Sequence, residues 1–302
     1  MTASAHDRTD VYTRVTNRIR ADLEKGVRPW IKPWDAGHAA GRITRPLRAT
    51  GQPYRGINTV MLWMTAMERG YASPFWLSYR QAQGLGGQVR RGERGTLVVY
   101  AGTVSRPEPN EEGEDSEHEI HFLKGYTVFN AEQVDGLPEH FRAHVPEPKE
   151  PMLRLEAAER FFAATGADIR TGGTRAYYAI GSDHIQMPPY ETFRDAESFA
   201  ATLGHETVHW TRHPSRLDRD LGRKRWGDEG HAAEELVAEI GSAFLCADLG
   251  ITPEVREDHA AYIASWLEVL RNDTRVIVSA AAHAQRAVDY LHALQPPVRP
   301  AA

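Results

Sequence analysis

The sequence predicts an α+β protein of two domains: an N-terminal domain of mixed helices and strands over residues 1–147, and a mainly helical C-terminal domain over 148–302. Three observations lead there. Residues 1–106 carry 17 Lys and Arg against 7 Asp and Glu, whereas the remainder carries 19 against 34, so a net charge of -5 conceals a basic and an acidic half. The run Val145-Pro-Glu-Pro-Lys-Glu-Pro151 concentrates proline and charge as linkers do, which sets the boundary near 148. Beyond it helical apolar periodicity dominates, while glycine-rich turns and short β-rich runs lie ahead of it.

In chain order, Asp10 to Lys25 reads as an amphipathic helix ended by Gly26, and Asn58 to Arg69 as a more apolar helix ended by Gly70. The glycine-rich stretch Gly84 to Gly95 fits no phosphate-binding loop and reads as a basic turn leading into a strand, Thr96 to Tyr100. His121 to Phe129 is its expected partner across the acidic insert Pro107 to Glu119, which reads as a disordered hairpin tip. After the linker come a helix over Met152 to Thr165 and an extended pair around Ala176 to Ile180 and His184 to Met187. Helices follow over Ala196 to Trp210, around Glu234 to Leu245, and over Pro253 to Leu270 and Thr274 to Leu294.

With 41% hydrophobic and 25% charged residues the composition is that of a globular protein, and no membrane span is visible. The first ten residues have no apolar core like that of a signal peptide. The single cysteine, Cys246, cannot form an internal disulfide and sits on an apolar helix face, so a cytoplasmic protein is expected.

Residues 205–209 read His-Glu-Thr-Val-His. Two histidines four apart on a helix share one face and can share one metal ion, and Glu206 then lies beside it as the expected general base. The second helix can offer Glu235 as third ligand, with Glu239 steadying a ligand histidine and Glu234 pointing away. A three-histidine site in the long form H-E-x-x-H-x-x-G-x-x-H is rejected, because Arg212 stands at the glycine position and Ser215 at the histidine position. Zn2+ is the commonest ion for this ligand set, and Mn2+ is another divalent ion such ligands accept.

The basic half interleaves aromatic residues, the ingredients for single-stranded nucleic acid: cations for phosphates and ring faces for bases. Trp30, Lys32, Trp34, Arg55, Asn58, Trp76, Arg90, Arg91 and Arg94 are the candidate contacts.

Several separated motifs occur in one order. They are Pro29-Trp30 with Pro33-Trp34, Tyr54-Arg-Gly-Ile-Asn58, Val89-Arg-Arg-Gly-Glu-Arg-Gly95, Val128-Phe-Asn-Ala-Glu-Gln133, and Tyr177-Tyr178 with Phe193-Arg-Asp-Ala-Glu197. In these the whole chain resembles the ArdC-type antirestriction proteins, in which a single-stranded-DNA-binding domain precedes a zincin-like metallopeptidase domain. The resemblance implies metal ligation by His205, His209 and Glu235, general-base chemistry at Glu206, and protection of incoming plasmid DNA from restriction. Glu234 to Glu239 also resembles the gluzincin pattern Asn-Glu-x-x-Ser-Asp, with Glu at the first and last positions.

The expected chemistry is peptide hydrolysis by metal-activated water, with a DNA-bound protein as substrate. Tyr177, Tyr178, His213 and His231 are the candidate oxyanion partners, Tyr178 foremost, and the extended segment before the metal helix could pair with substrate as an edge strand. Two other readings compete: a strand-coating protein with a structural metal, and a nuclease. The nuclease is disfavoured because a mononuclear site lacks the paired metals of phosphodiester cleavage.

Overall fold

Helix α1 (Val11–Leu23) starts where the Asp10 carboxylate accepts a hydrogen bond from the Tyr12 backbone N–H at 3.0 Å, and it buries Val15, Ile19 and Leu23 as one stripe. The computed structural model describes residues 10–30, 44–109, 115–142, 151–222, 229–252 and 259–297. The linker read at 145–151 therefore lies almost wholly outside the described residues, as do Lys32 and Trp34.

The N-terminal half is built on a four-stranded sheet ordered β1-β2-β5-β4, in which β1 (Leu47–Arg48) runs parallel to β2 (Phe75–Leu77) and the remaining pairs are antiparallel. Strands β4 (Thr96–Pro109) and β5 (Asp115–Asn130) pair from Thr96 opposite Val128 to Pro109 opposite Asp115. This corrects the disordered tip expected over 107–119: only 110–114 fall outside the described residues. The charge run does not reveal this ribbon, because backbone hydrogen bonds hold it together and composition does not record them. A short helix α3 (Tyr79–Gly84), closed by a reciprocal Ser78–Gln81 capping box, and the two-stranded pair β3 (Gln88–Val89) and β6 (Val134–Asp135) complete this half.

Helix α2 (Ile57–Arg69) explains its own apolar character by packing on two sides. Leu62 meets Tyr54, Trp76, Val98 and Val128 over the sheet, while Val60, Met61, Trp63 and Met64 join the core of the C-terminal helices.

In the C-terminal half, helix α4 (Pro151–Ala164) is followed by a three-stranded sheet ordered β7-β9-β8. Strand β9 (His184–Met187) lies at its centre, antiparallel to β8 (Tyr177–Ala179) and parallel to β7 (Asp168–Thr171), a strand the sequence pattern did not show. The segment just before the metal helix is therefore not an edge, and within this sheet the edges are β7 and β8. Among the described residues four α-helices follow: α5 (Ala196–Trp210), α6 (Glu229–Leu249), α7 (His259–Asn272) and α8 (Val276–Ala293). None of the helices in the described residues is long and apolar enough to cross a membrane.

One apolar core runs through both halves. It holds Val15, Ile19 and Leu23 of α1 together with Trp266 and Leu270 of α7, and Trp63 of α2 lies 5.7 Å from Phe244 of α6. Polar contacts cross the same seam. Arg45 forms a two-pronged pair with Asp248 at 2.8 and 3.0 Å, the Thr16 hydroxyl donates to the Thr274 carbonyl at 2.6 Å, and the Gly56 N–H donates to Gln285 at 3.2 Å. Cys246 is in this core, where burial pushes its thiol up to about 12.

Helices α5 and α6 approach closely at Gly241, where an added Cβ would stand 2.9 Å from both methyl carbons of Val208. In an open helix Gly→Ala gains about 1 kcal/mol, but overpacking here costs about 1–3 kcal/mol. Gly241→Ala is accordingly expected to lower the thermal midpoint, and Val208→Ala in the same chain to restore much of it. A rise in midpoint for the single variant would show that the helices are not in contact there.

Candidate metal centre

Asp195 fixes the start of α5 by accepting the Ser198 backbone N–H at 2.7 Å, and from there nearly every side chain to Trp210 is buried. His205 and His209 fall one turn apart on this helix, with ring centroids 4.8 Å apart. Helix α6 brings Glu235 against both: its two oxygens lie 3.5 Å from His205 Nε2 and 3.4 Å from His209 Nε2. All three ligand atoms lie within 4.8 Å of one another, and all three residues are buried. A four-coordinate ion with bonds of about 2.0–2.1 Å sets its ligands about 3.4 Å apart, so this donor set fits a small divalent cation. Glu206 is itself buried, at 3% exposure, beside His205 in the same turn.

Each histidine has a carboxylate behind it. Glu234, expected to point away, is 1% exposed and places Oε1 3.1 Å from His209 Nδ1. Arg219 holds it with two hydrogen bonds, of 2.7 and 2.8 Å, and donates to the Val208 carbonyl and the Thr211 hydroxyl as well, both at 3.0 Å. The turn after α5, with Asp218 at φ +45°, carries Arg219 back beneath the helix. Helix α6 is buried on all its central turns, so the position next to Glu235 on the helix has no solvent to face. Glu239 stands behind the other histidine, with Oε1 4.0 Å from His205 Nδ1, while its Oε2 accepts from Arg28 and from the Trp30 indole N–H, each at 3.3 Å.

The charges shift one another. Burial acts to raise Glu235, but the imidazoles of His209 and His205 hold it well below the usual carboxylate range. Glu234 is lowered to about 2, where Arg219 and His209 overcome its burial. His209 moves the other way: burial alone would lower it, and Glu235 and Glu234 raise it to about 10.

Among the oxyanion candidates, Tyr178 donates its O–H to Asp183 at 2.8 Å and accepts from Arg216 at 3.1 Å, so its donor is already committed. Tyr177 is 47% exposed, and His213 engages Ser215 at 2.7 Å. His231 is buried with Nδ1 3.8 Å from Glu235 Oε1, at the edge of the ligand set.

The candidate nucleic-acid residues are scattered. Trp30 and Trp76 are 0% and 1% exposed, with Trp30 edge-on to Trp266 and Trp76 to Tyr71, so neither ring offers a face to a base. Asn58 uses its amide to clamp the Val99 backbone at 2.8 and 2.7 Å, and Arg55 pairs with Asp289 of α8. Arg90, Arg91 and Arg94 are exposed. The first two border an open groove of about 600 Å³ that also includes Tyr79, Gln88, Glu93 and Phe129. Arg219 and Arg28 have no role in the sequence reading, and Glu234 has one only as a residue pointing away. Only the placement of Glu234 beside Glu235 gave any signal.

Residues 156–283 match the family of zincin-like metallopeptidases, and residues 9–129 match the N-terminal domain of anti-restriction factor ArdC. Fold and site thus define an ArdC-type N-terminal domain joined to a zincin-like metallopeptidase fold that offers a site for a divalent metal. The chain covers 97% of the metal-free crystal structure of antirestriction ArdC protein from the R388 plasmid, with 94% of its own length, 49% identity and a TM-score of 0.79. For the Mn(II)-bound structure the same share of this chain covers 98% of that one, at 48% identity and a TM-score of 0.77. It is also 46% identical over 292 residues to protein y4eC of Sinorhizobium fredii, spanning 95% of this chain and 93% of that protein. DNA primase TraC of Escherichia coli is 38% identical over 300 residues, 94% of this chain, but the chain spans only 27% of that protein's length. The chain belongs to the ArdC antirestriction family.

Glu235 and Glu234 raise His209 to about 10, which favours the protonated ring at neutral pH, and a metal ion bound there would displace that proton. Metal affinity should therefore fall as pH falls below that value, and loading near pH 7 should release about one proton. Calorimetric titration in buffers of different ionisation heat measures this release, and a pH-independent affinity would contradict it.

Proposed function

We propose that this protein is a metal-dependent peptidase that works on proteins met on single-stranded DNA, in the cytoplasm that receives incoming DNA, with residues 1–147 forming the DNA-binding part and 148–302 the peptidase. The observation that carries the peptidase reading is the buried carboxylate of Glu206 beside the convergent His205, His209 and Glu235. A metal that only stabilises a fold does not need a neighbouring general base.

When bound, a divalent ion, Zn2+ by preference of this donor set, supplies Lewis acidity toward a peptide carbonyl and makes water more acidic. Glu206 takes the proton from that water and returns it to the leaving amine. Its burial keeps the proton transfer away from bulk solvent. Glu234 and Arg219 hold the His209 ring in one orientation, which fixes its Nε2 toward Glu235. His231, buried with Nδ1 3.8 Å from Glu235 Oε1, is the candidate to stabilise the developing oxyanion. Strand β8, at an edge of its sheet and in contact with α5, is available for an extended substrate to pair with. Such pairing reads backbone more than side chains.

For DNA, the groove at Tyr79, Arg90 and Arg91, with Arg94 close in sequence, combines an exposed ring with exposed guanidinium groups, the combination that binds single strands. The antirestriction and primase names of the relatives point to DNA as well.

Cleavage of a DNA-binding protein, with and without single-stranded DNA, is the direct test. Wild type is expected to cleave and Glu206→Gln to lose cleavage while keeping metal and DNA. If both proteins bind metal and DNA and neither cleaves, the metal is structural and the protein a strand-coating protector. On the DNA side, Tyr79→Ala should cost about 1–3 kcal/mol of binding, and Arg91→Gln should reduce the salt slope by about 0.7. Unchanged binding in both variants would move the DNA surface elsewhere.

A further inference from the structure

The carboxylates behind the two ligand histidines are held from different parts of the chain. Behind His209, Glu234 is gripped by Arg219, so that support lies within the peptidase half. Behind His205, Glu239 is gripped by Arg28 and Trp30, which follow α1 in the N-terminal half. Arg28 is 6% exposed and Trp30 0%, and the Trp30 ring is fixed edge-on against Trp266 of α7, 5.5 Å away. Both N-terminal groups donate to the same oxygen, Oε2, which sets the rotation of the carboxylate and leaves Oε1 on the His205 side. That oxygen stands 4.0 Å from His205 Nδ1, an ion-pair distance beyond a direct hydrogen bond, and from there its negative charge favours one orientation of the ring and makes the histidine the more basic ligand.

We propose that Arg28 and Trp30 are positioning residues for the metal centre, acting through Glu239 on His205, so that the N-terminal half is part of the metal-binding unit. The proposal rests on the reading of His205, His209 and Glu235 as metal ligands. It also gives the two halves a physical means of communication. A ligand that shifts the segment 28–30 shifts the support of His205, and metal loading must in return change the affinity for that ligand.

The test is a double-mutant cycle on the full chain, reading Mn2+ affinity by calorimetry together with the unfolding midpoint of the metal-free protein. Arg28→Gln is expected to weaken Mn2+ about tenfold to a hundredfold, as loss of such a partner does, and to weaken it no further when Glu239→Gln is already present. Trp30→Phe, which keeps a ring in the core and removes only the donor with part of the ring, should weaken Mn2+ in the same direction and serves should Arg28→Gln not fold. Mn2+ affinity unchanged in Arg28→Gln and Trp30→Phe would overturn the proposal. So would an equal loss from Arg28→Gln with and without Glu239, since that is the signature of general destabilisation. A wild-type chain that binds no Mn2+ would remove the metal reading itself, and the proposal with it.

Discussion

Three carboxylates of one helix, Glu234, Glu235 and Glu239, lie buried at 1%, 8% and 8% exposure, and the surrounding structure is arranged to make that tolerable. A buried ionised carboxylate without partners costs several kcal/mol after relaxation. Arg219 neutralises Glu234 and Arg28 neutralises Glu239, each as a close ion pair. Glu235 instead faces imidazoles, from His205, His209 and, farther off, His231. Its charge, between His205 and His209, is the one that a bound cation would balance.

The same charges tie the two halves together. A guanidinium from the N-terminal half sits within the C-terminal half, and it can reach there only because α1 and α2 share a core with α6, α7 and α8. The close approach of Gly241 to Val208 brings the carboxylates of α6 to the histidines of α5. Packing and electrostatics thus depend on each other: the helices could not meet with unpaired charges between them, and the pairs could not form unless the helices met.

Much of this was legible in the sequence, and the rest shows where local patterns stop. The bounds of α5 and the convergence of His205 and His209 followed from spacing, since a helix fixes which residues share a face. Glu235 could be matched to them through the periodicity of α6. Trp30 and Trp76 read as exposed stacking residues because a basic, aromatic stretch looks alike whether its rings cover a nucleic acid or fill a core. Asn58 and Arg55 resembled ligand contacts for the same reason, although one caps a strand backbone and the other pairs across the seam to α8. The pairing of Thr96 to Tyr100 with His121 to Phe129 was legible, and the extension of that ribbon to Pro109 and Asp115 was hidden by its charges. Arg219 and Arg28 carried no local signal, because a buried arginine is defined by a partner far away in sequence.

In the proposed metal centre α5 and α6 together hold one divalent ion through His205, His209 and Glu235. X-ray absorption on the metal-loaded full chain, with anomalous diffraction to place the ion, tests it most directly. Such a centre would show two imidazole nitrogens and a carboxylate oxygen at about 2.0–2.2 Å, with an open position left for water. An ion found elsewhere, or one coordinated by a third histidine such as His213 in place of Glu235, would contradict it.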